Sequence, residues 1–410
     1  MKKPELLAPA GDLEKLKIAI MYGADAVFIG GKIFSLRSRA SNFTYEDIKE
    51  GCEFAHKHNA HVHVTCNILP HESDMDGLIE HLKRLEKCGV DCIICASIYI
   101  LKMVKKYTKM EAHVSTQETT TNSNAVDYWV EMGADRVVLG RELSISKIKE
   151  IKANTKTDIE VFIHGGMCVS YSGRCMLSNN MTNRDANRGG CAHSCRWNYD
   201  LVVDNKKINE NDSYFAMSSK DLCAIRDIPA LIDSGADSFK IEGRMKSLHY
   251  IATVVKTYRM IIDEYISTGK VKDFDFYEAE IKKAENRQTS YGFLHGQTDV
   301  SEQLYDMRSE EPQQTFCGIV KSYDEENKMV YIESRNFFKP YSKIELFGPN
   351  ISKVIEIKEI YDKDDNVIDA SRHPGDIVHF KCDTKLNEYD MVRIYADWAW
   401  WIINWYWAYI

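Results

Sequence analysis

Proline is scarce in this chain, 8 of 410 residues, and glycine is modest at 22. That excludes collagen-like and Pro/Gly-rich low-complexity organisation. No apolar run reaches the roughly 20 residues of a spanning helix. The apolar stretch Leu6–Ala10 after Met1-Lys2-Lys3 is too short for a secretory signal. Positive charge is not in excess either: the formal net charge is −8, so any contact with nucleic acid must come from a local basic patch. No G-x-G-x-x-G follows the first apolar run, and neither G-x-S-x-G nor H-E-x-x-H occurs; His71-Glu72 lacks a second His at helical spacing. A peptidase reading is thereby left without a recognisable nucleophile or metal-held water, although a Cys/His pair joined only in space stays open. The expected location is the cytoplasm, a reducing compartment where clustered cysteines serve as metal ligands or catalysts rather than disulfides.

What is present has an order. Gly23-Ala24-Asp25, Gly89-Val90-Asp91, Gly133-Ala134-Asp135 and Gly235-Ala236-Asp237 each follow an amphipathic stretch and precede a short apolar run. A glycine there closes a helix in the left-handed conformation, and the run that follows reads as a strand buried on both faces. Further strands fit at Leu6–Pro9, His61–Asn67, Glu111–Gln117 and Ile159–His164, with helices such as Leu13–Tyr22, Tyr45–His58 and Ser123–Met132 between them. Eight strands, beginning at Leu6, Ala26, His61, Cys92, Glu111, Arg136, Ile159 and Phe239, predict an α/β fold, a (β/α)8 TIM-like barrel over residues 1–250. A doubly wound open sheet is the alternative. Helical stretches at Ser247–Tyr265 and Phe276–Ala284 lead into an expected helical connector, 251–312. Alternating runs at Phe316–Val320, Met329–Glu333, Lys343–Phe347, Ile377–Cys382 and Met391–Ile394 then predict a small β-barrel-like domain, 313–395. The tail 396–410 holds five of the 7 Trp and no charged side chain beyond Asp397; it is assigned no function.

One insertion breaks the spacing, from Gly165 to about Asp221, and its first part, 165–200, is the expected metal loop. Cys168, Cys175, Cys191 and Cys195 lie there with spacing C-x6-C-x15-C-x3-C among glycines. Four thiolates hold a structural zinc or an iron–sulfur cluster. Zinc normally takes two tight pairs, and only the second pair here is tight. The same stretch carries Arg174, Arg184, Arg188 and Arg196 against one Asp, Asp185, with Tyr171, Trp197 and Tyr199 interleaved. Arginine with aromatic faces suits single-stranded RNA or a small anion. The same arginines would also serve to neutralise four thiolates.

The segment Glu160-Val161-Phe162-Ile163-His164-Gly165-Gly166-Met167-Cys168, followed by Gly173-Arg174-Cys175-Met176-Leu177-Ser178, resembles the peptidase U32 signature, with Gly166 where the family usually has Ser or Ala. The resemblance extends to Glu5-Leu6-Leu7-Ala8-Pro9-Ala10-Gly11, Asn183-Arg184-Asp185, Cys195-Arg196-Trp197, Ser219-Lys220-Asp221-Leu222-Cys223, Lys240-Ile241-Glu242-Gly243-Arg244-Met245-Lys246 and Asn286-Arg287. The family was named for collagenase-like peptidase activity, which is the alternative function. Several members are instead oxygen-independent hydroxylation proteins with a 4Fe-4S cluster. The branch most resembled makes 5-hydroxyuridine at the tRNA wobble position, with prephenate implicated as hydroxyl donor. The resemblance therefore implies tRNA as partner, a small anionic co-substrate, an electron donor, and Cys168, Cys175, Cys191 and Cys195 as cluster ligands, with Cys223 as a possible substitute. Relatives in another branch act with a protein partner, so a partner subunit or a dimer is a third reading.

Barrel strand ends supply the remaining candidates. His164, Glu242 and Arg244 are the expected catalytic residues. Asn67, Gln117 and the loop arginines Arg174, Arg184 and Arg196 are expected to bind substrate, and Arg37 and Arg39 to grip an anionic donor.

Overall fold

The structure, a computed structural model, describes residues 2–36, 42–209, 214–284, 287–304 and 315–395. The chain divides into two compact units, Met1–Glu311 and Pro312–Ile410.

The first unit is a closed parallel barrel. Its strands are β1 (Glu5–Pro9), β2 (Ala26–Gly30), β3 (His61–Cys66), β4 (Cys92–Cys95), β5 (Glu111–Val114), β6 (Arg136–Val138), β7 (Asp158–Gly165) and β8 (Ser238–Ile241). They neighbour one another in chain order, and β8 pairs with both β7 and β1, which closes the ring. All eight expected strands are present, so the open sheet is excluded. Helices alternate with the strands, and the long helix Leu248–Thr268, after β8, buries Tyr250, Tyr258 and Ile261. The four junction glycines adopt φ of +112°, +92°, +106° and +83°, the left-handed turn that ends each helix.

The aspartate that follows each of these glycines by two residues has a further role. Asp25, Asp91, Asp135 and Asp237 stand just before β2, β4, β6 and β8. Their carboxylates accept the backbone N–H of Leu6, Val62, Ala112 and Ile159, on β1, β3, β5 and β7, at 2.8, 2.7, 2.8 and 3.0 Å. The backbone N–H of each aspartate donates back to the carbonyl of the same residue. Each even strand is thus clamped to the preceding odd strand at one register. A cationic or imidazole side chain from a helix backs every clamp: Arg259 on Asp25, His56 on Asp91, Lys105 on Asp135 and Lys152 on Asp237.

The insertion after β7 is a chain of short turns around the helix Leu177–Thr182. It returns through a three-residue strand, Asp221–Cys223, that runs antiparallel to the end of β7. Arg188 anchors it: the guanidinium forms an ion pair with Asp74 and donates to the Leu69 carbonyl at 2.9 Å.

The second unit is one antiparallel sheet in the order Ile351–Glu356, Lys343–Gly348, Met391–Ile394, Phe316–Asp324, Met329–Ser334, Ile377–Lys381, Ile360–Tyr361, Val367–Ile368. Residues from both edges, Ile351 and Ile368, pack on the same core as Val330 and Phe380, so the sheet curls around it in the barrel-like manner expected. Arg393, fully buried, makes two 2.9 Å bonds to Glu345, the bidentate pairing a buried ion pair needs. The tail 396–410 lies outside the described residues.

The clamp generates a stability prediction. Burial pushes the Asp91 carboxyl up, but bonds from His61, the Val62 N–H and His56 outweigh it and hold its pKa down at about 2. Asp91→Ala is expected to cost about 1.5–3 kcal/mol at neutral pH, the range for a hydrogen bond to a charged group. A carboxyl with a lowered folded-state pKa contributes stability above its unfolded pKa of about 3.9. The gap between wild type and variant, read by urea unfolding, should therefore close as pH falls from about 4 toward about 2.

Candidate active site and metal centre

In a closed parallel barrel the side chains inside a strand repeat every second residue. The cavity at the C-terminal mouth shows this directly. Its floor is Phe28, Thr65, Ile94, Ser115, Val138, Phe162 and Lys240, one residue from each of seven strands or the residue just beyond, and its volume is about 340 Å³. The insertion forms its wall. Cys168, Cys175, Cys191 and Cys195 all line it, although 27 positions separate the first from the last, with Asn67, Gln117, Arg196, Glu242 and Arg244 around the rim.

The four thiols lie near enough to influence one another. Cys168 Sγ accepts the Ser170 N–H at 3.4 Å and Cys175 Sγ accepts the Leu177 N–H at 3.3 Å, the donors that tune cluster sulfurs. Burial pushes the Cys195 thiol up, Arg196 draws it down, and the other three cysteines raise it again; Cys168 is raised by burial too. Among the described residues, no three of these thiols have sulfurs within 4.8 Å of one another. Three thiolates on one zinc, at a Zn–S distance of about 2.3 Å, would stand about 3.8 Å apart. As placed, the sulfurs stand too far apart for three of them to share a single zinc ion, and all four line one cavity, which leaves room between them for a larger group. Cys223 is elsewhere: its Sγ lies 3.9 Å from the Tyr258 hydroxyl and it lines a separate small cavity.

The expected rim residues divide. Asn67 donates to Gln117 Oε1 at 2.9 Å and accepts the Leu36 N–H at 3.2 Å, and Ser115 also donates to Gln117; the two amides form one network facing the cavity. Arg244 is buried, with Nη1 3.3 Å from Ser35 Oγ and 3.4 Å from Thr65 Oγ1, and Nη2 on the Leu36 carbonyl. Two glycines make room for it. A Cβ on Gly30 would fall 1.9 Å from Arg244 Nη1, and one on Gly11 would fall 2.3 Å from the Arg244 carbonyl. Glu242 is half-buried on the cavity wall, and its N–H donates to the His164 carbonyl at 2.8 Å.

His164 itself stands outside the lining. Its Nδ1 is 3.2 Å from the Tyr258 hydroxyl and its ring packs on Tyr250 and Tyr258. Burial, with Lys246 nearby, lowers its pKa to about 3, so it is neutral at pH 7. Arg174 turns away to Glu118 at 3.0 Å, and Arg184 does not line the cavity. Arg37 and Arg39 lie outside the described residues.

Three cationic residues on the lining were not expected. Arg141 stacks over Phe162 at 4.6 Å and donates to the Gly166 carbonyl at 2.8 Å. Lys240 sits over Phe28 at 4.7 Å and bonds Glu160 at 2.8 Å. Lys246 lies 3.8 Å from Asp221. With Arg196 and Arg244, five cationic side chains face two carboxylates, Asp221 and Glu242, across the cavity. The signal for Lys240 was in the sequence: a lysine inside a strand buried on both faces requires a partner.

Residues 11–304 match the Peptidase family U32 and residues 312–393 the Peptidase family U32 C-terminal domain. The chain belongs to peptidase family U32. Among curated U32 relatives, tRNA hydroxylation protein P1 of Bacillus subtilis is 49% identical over 401 residues, covering 96% of this chain and 95% of its own. tRNA hydroxylation protein P of Escherichia coli is 32% identical, covering 88% of this chain and 90% of its own. An Escherichia coli 23S rRNA 5-hydroxycytidine synthase is 38% identical over 262 residues, 64% of this chain and 40% of its own. Among the described residues, no helix is long and apolar enough to cross a membrane.

The four cysteines of the cavity should report their shared environment by reactivity. In metal-free protein, iodoacetamide is expected to label exposed Cys191 first and Cys168 and Cys195 more slowly, because burial raises their pKa. Anaerobic loading with iron and sulfide should protect all four together. Peptide mass spectrometry reads the labels, and protection of only one or two would contradict a shared centre.

Proposed function

We propose that this chain hydroxylates the base of an RNA without molecular oxygen, and that its substrate is the wobble uridine of tRNA, converted to 5-hydroxyuridine. The observation that carries the reading is the cavity, where four cysteine thiols and five cationic side chains face one space at the catalytic end of a barrel. Relatives that align over nearly the whole chain are named for tRNA hydroxylation, and one that aligns over part of it for 5-hydroxycytidine synthesis in rRNA.

In this reading Cys168, Cys175, Cys191 and Cys195 hold a 4Fe-4S cluster. When bound, such a cluster supplies one-electron transfer, which hydroxylation without oxygen requires. The protein's own residues do the rest. Arg141, Arg196, Lys240 and Lys246 hold the carboxylates of a small anionic co-substrate, for which prephenate, a dicarboxylate, has the right charge. Arg244, fixed by Ser35, Thr65 and Leu36, shapes the rim and adds positive potential. The Asn67–Gln117 amide pair orients polar groups of donor or base, and Glu242 is the wall carboxylate placed to accept a proton. His164 stays neutral and fixes the β7–β8 junction from which both the metal loop and Glu242 depart. The peptidase activity in the family's name has no comparable arrangement to support it.

Mass spectrometry of tRNA nucleosides tests this reading. A deletion strain lacking paralogues should lose 5-hydroxyuridine and its derivatives, regain them with the wild-type gene, and fail to regain them with Cys191→Ala. Unchanged nucleosides in the deletion strain would contradict it. In a reconstituted assay, Arg141→Met should raise the KM for the anionic donor about tenfold, roughly 1.4 kcal/mol of lost binding, with a smaller change in kcat.

A further inference from the structure

One layer beneath the cavity floor, the barrel interior carries a second set of metal-ligating side chains. Thr65, Ile94 and Ser115 line the cavity. The residues two positions earlier on the same strands are His63 on β3, Cys92 on β4 and His113 on β5. The pleat turns them to the same interior face. Strand register sets His63 beside Cys92, and His113 beside Ile94, two residues further along β4. One ring nitrogen of each histidine and Cys92 Sγ all lie within 4.8 Å of one another. Their exposures are 3%, 1% and 0%.

The hydrogen bonding is incomplete in a specific way. His113 Nε2 is held by the Glu111 carboxylate at 2.9 Å, while Nδ1 of His113 and Nδ1 of His63 are buried with no hydrogen-bond partner. A buried imidazole nitrogen without a partner is costly. A carboxylate on one ring nitrogen with the other left open is how metal-binding histidines are oriented. Burial also keeps both imidazoles neutral, since it lowers the pKa of each, and neutral imidazole is the ligating form.

We propose that His63, Cys92 and His113 form a buried site for one thiophilic d10 cation, Zn2+ or Cu+, separate from the four-cysteine centre of the mouth. Two imidazoles and a thiolate suit these ions and disfavour Mg2+ or Ca2+, which take oxygen ligands. Binding replaces the Cys92 S–H proton, which leaves to solvent. Cu+ with one thiolate then adds no net charge to the interior, and Zn2+ adds one positive charge, set against the Glu5 and Glu160 carboxylates beside Arg136. The ion would tie β3, β4 and β5 together under the floor. This inference does not rest on the proposed hydroxylation.

The test uses the full-length chain with Cys168, Cys175, Cys191 and Cys195 all replaced by Ala, so that the mouth cannot contribute. It is incubated anaerobically with Zn2+ or, separately, with Cu+, desalted, and assayed by mass spectrometry for metal. About one equivalent of one ion is expected to remain, and retention should fall at least about tenfold when Cys92→Ala is added. Glu111→Ala keeps the interpretation free of folding effects, because Glu111 is 61% exposed while its carboxylate orients His113. That variant should also lose metal about tenfold or more with an unchanged circular dichroism spectrum. Retention of neither ion by the four-cysteine variant, or undiminished retention in both Cys92→Ala and Glu111→Ala, would overturn the proposal.

Discussion

Everything at the mouth of this barrel depends on strand register, and four aspartates fix it. Each carboxylate grips the N-terminal backbone of the preceding strand while its own N–H binds the same residue's carbonyl. A slip of one residue would turn every interior side chain outward. The clamps divide the barrel into four strand pairs, β1–β2 through β7–β8, and closure between β8 and β1 makes the four quarters one ring. The interior layers follow from that register. Phe28, Thr65, Ile94, Ser115, Phe162 and Lys240 form the floor of the cavity, with His63, Cys92, His113 and Glu160 beneath.

On this frame the chemistry is concentrated by charge. A chain with net charge −8 gathers Arg141, Arg196, Lys240, Arg244 and Lys246 in one cavity with four thiols. The cations are held rather than free to turn: Lys240 against Glu160 and two aromatic rings, Arg141 over Phe162, and Arg244 between Ser35, Thr65 and Leu36. Pre-positioned cations in a partly desolvated space attract an anion more strongly than the same groups in water. The absence of side chain at Gly30 and Gly11 is what lets Arg244 reach this position.

Much of this was legible in the sequence. The repeated Gly-x-Asp junctions and the short apolar runs located all eight barrel strands, because a strand buried on both faces has a strong local signature. The four loop cysteines were legible from clustering among glycines. The aspartate clamps were not, since their partners lie on a strand about 20 to 80 positions away in the chain. Arg141 and Lys246 lie three and five positions beyond the ends of β6 and β8, and no motif or spacing in the sequence marks either as a cavity residue. His63 and His113 look like ordinary strand positions in the sequence, because only the pairing of β3, β4 and β5 brings them together with Cys92. In the second unit, Ile351–Glu356 has no strong local signature, because four of its six residues are exposed and its apolar Val354 and Ile355 stand side by side, which leaves no alternation to detect.

The central claim is that the four-cysteine group and the anion-binding cations serve a single cavity. Electron paramagnetic resonance of the anaerobically purified, dithionite-reduced protein tests it most directly, with spectra taken before and after addition of prephenate. The account predicts the signal of a reduced iron–sulfur cluster whose line shape changes when the anion binds, and a change that Arg141→Met weakens. A protein that shows no cluster signal after iron and sulfide loading, or a cluster signal indifferent to saturating anion, would contradict it.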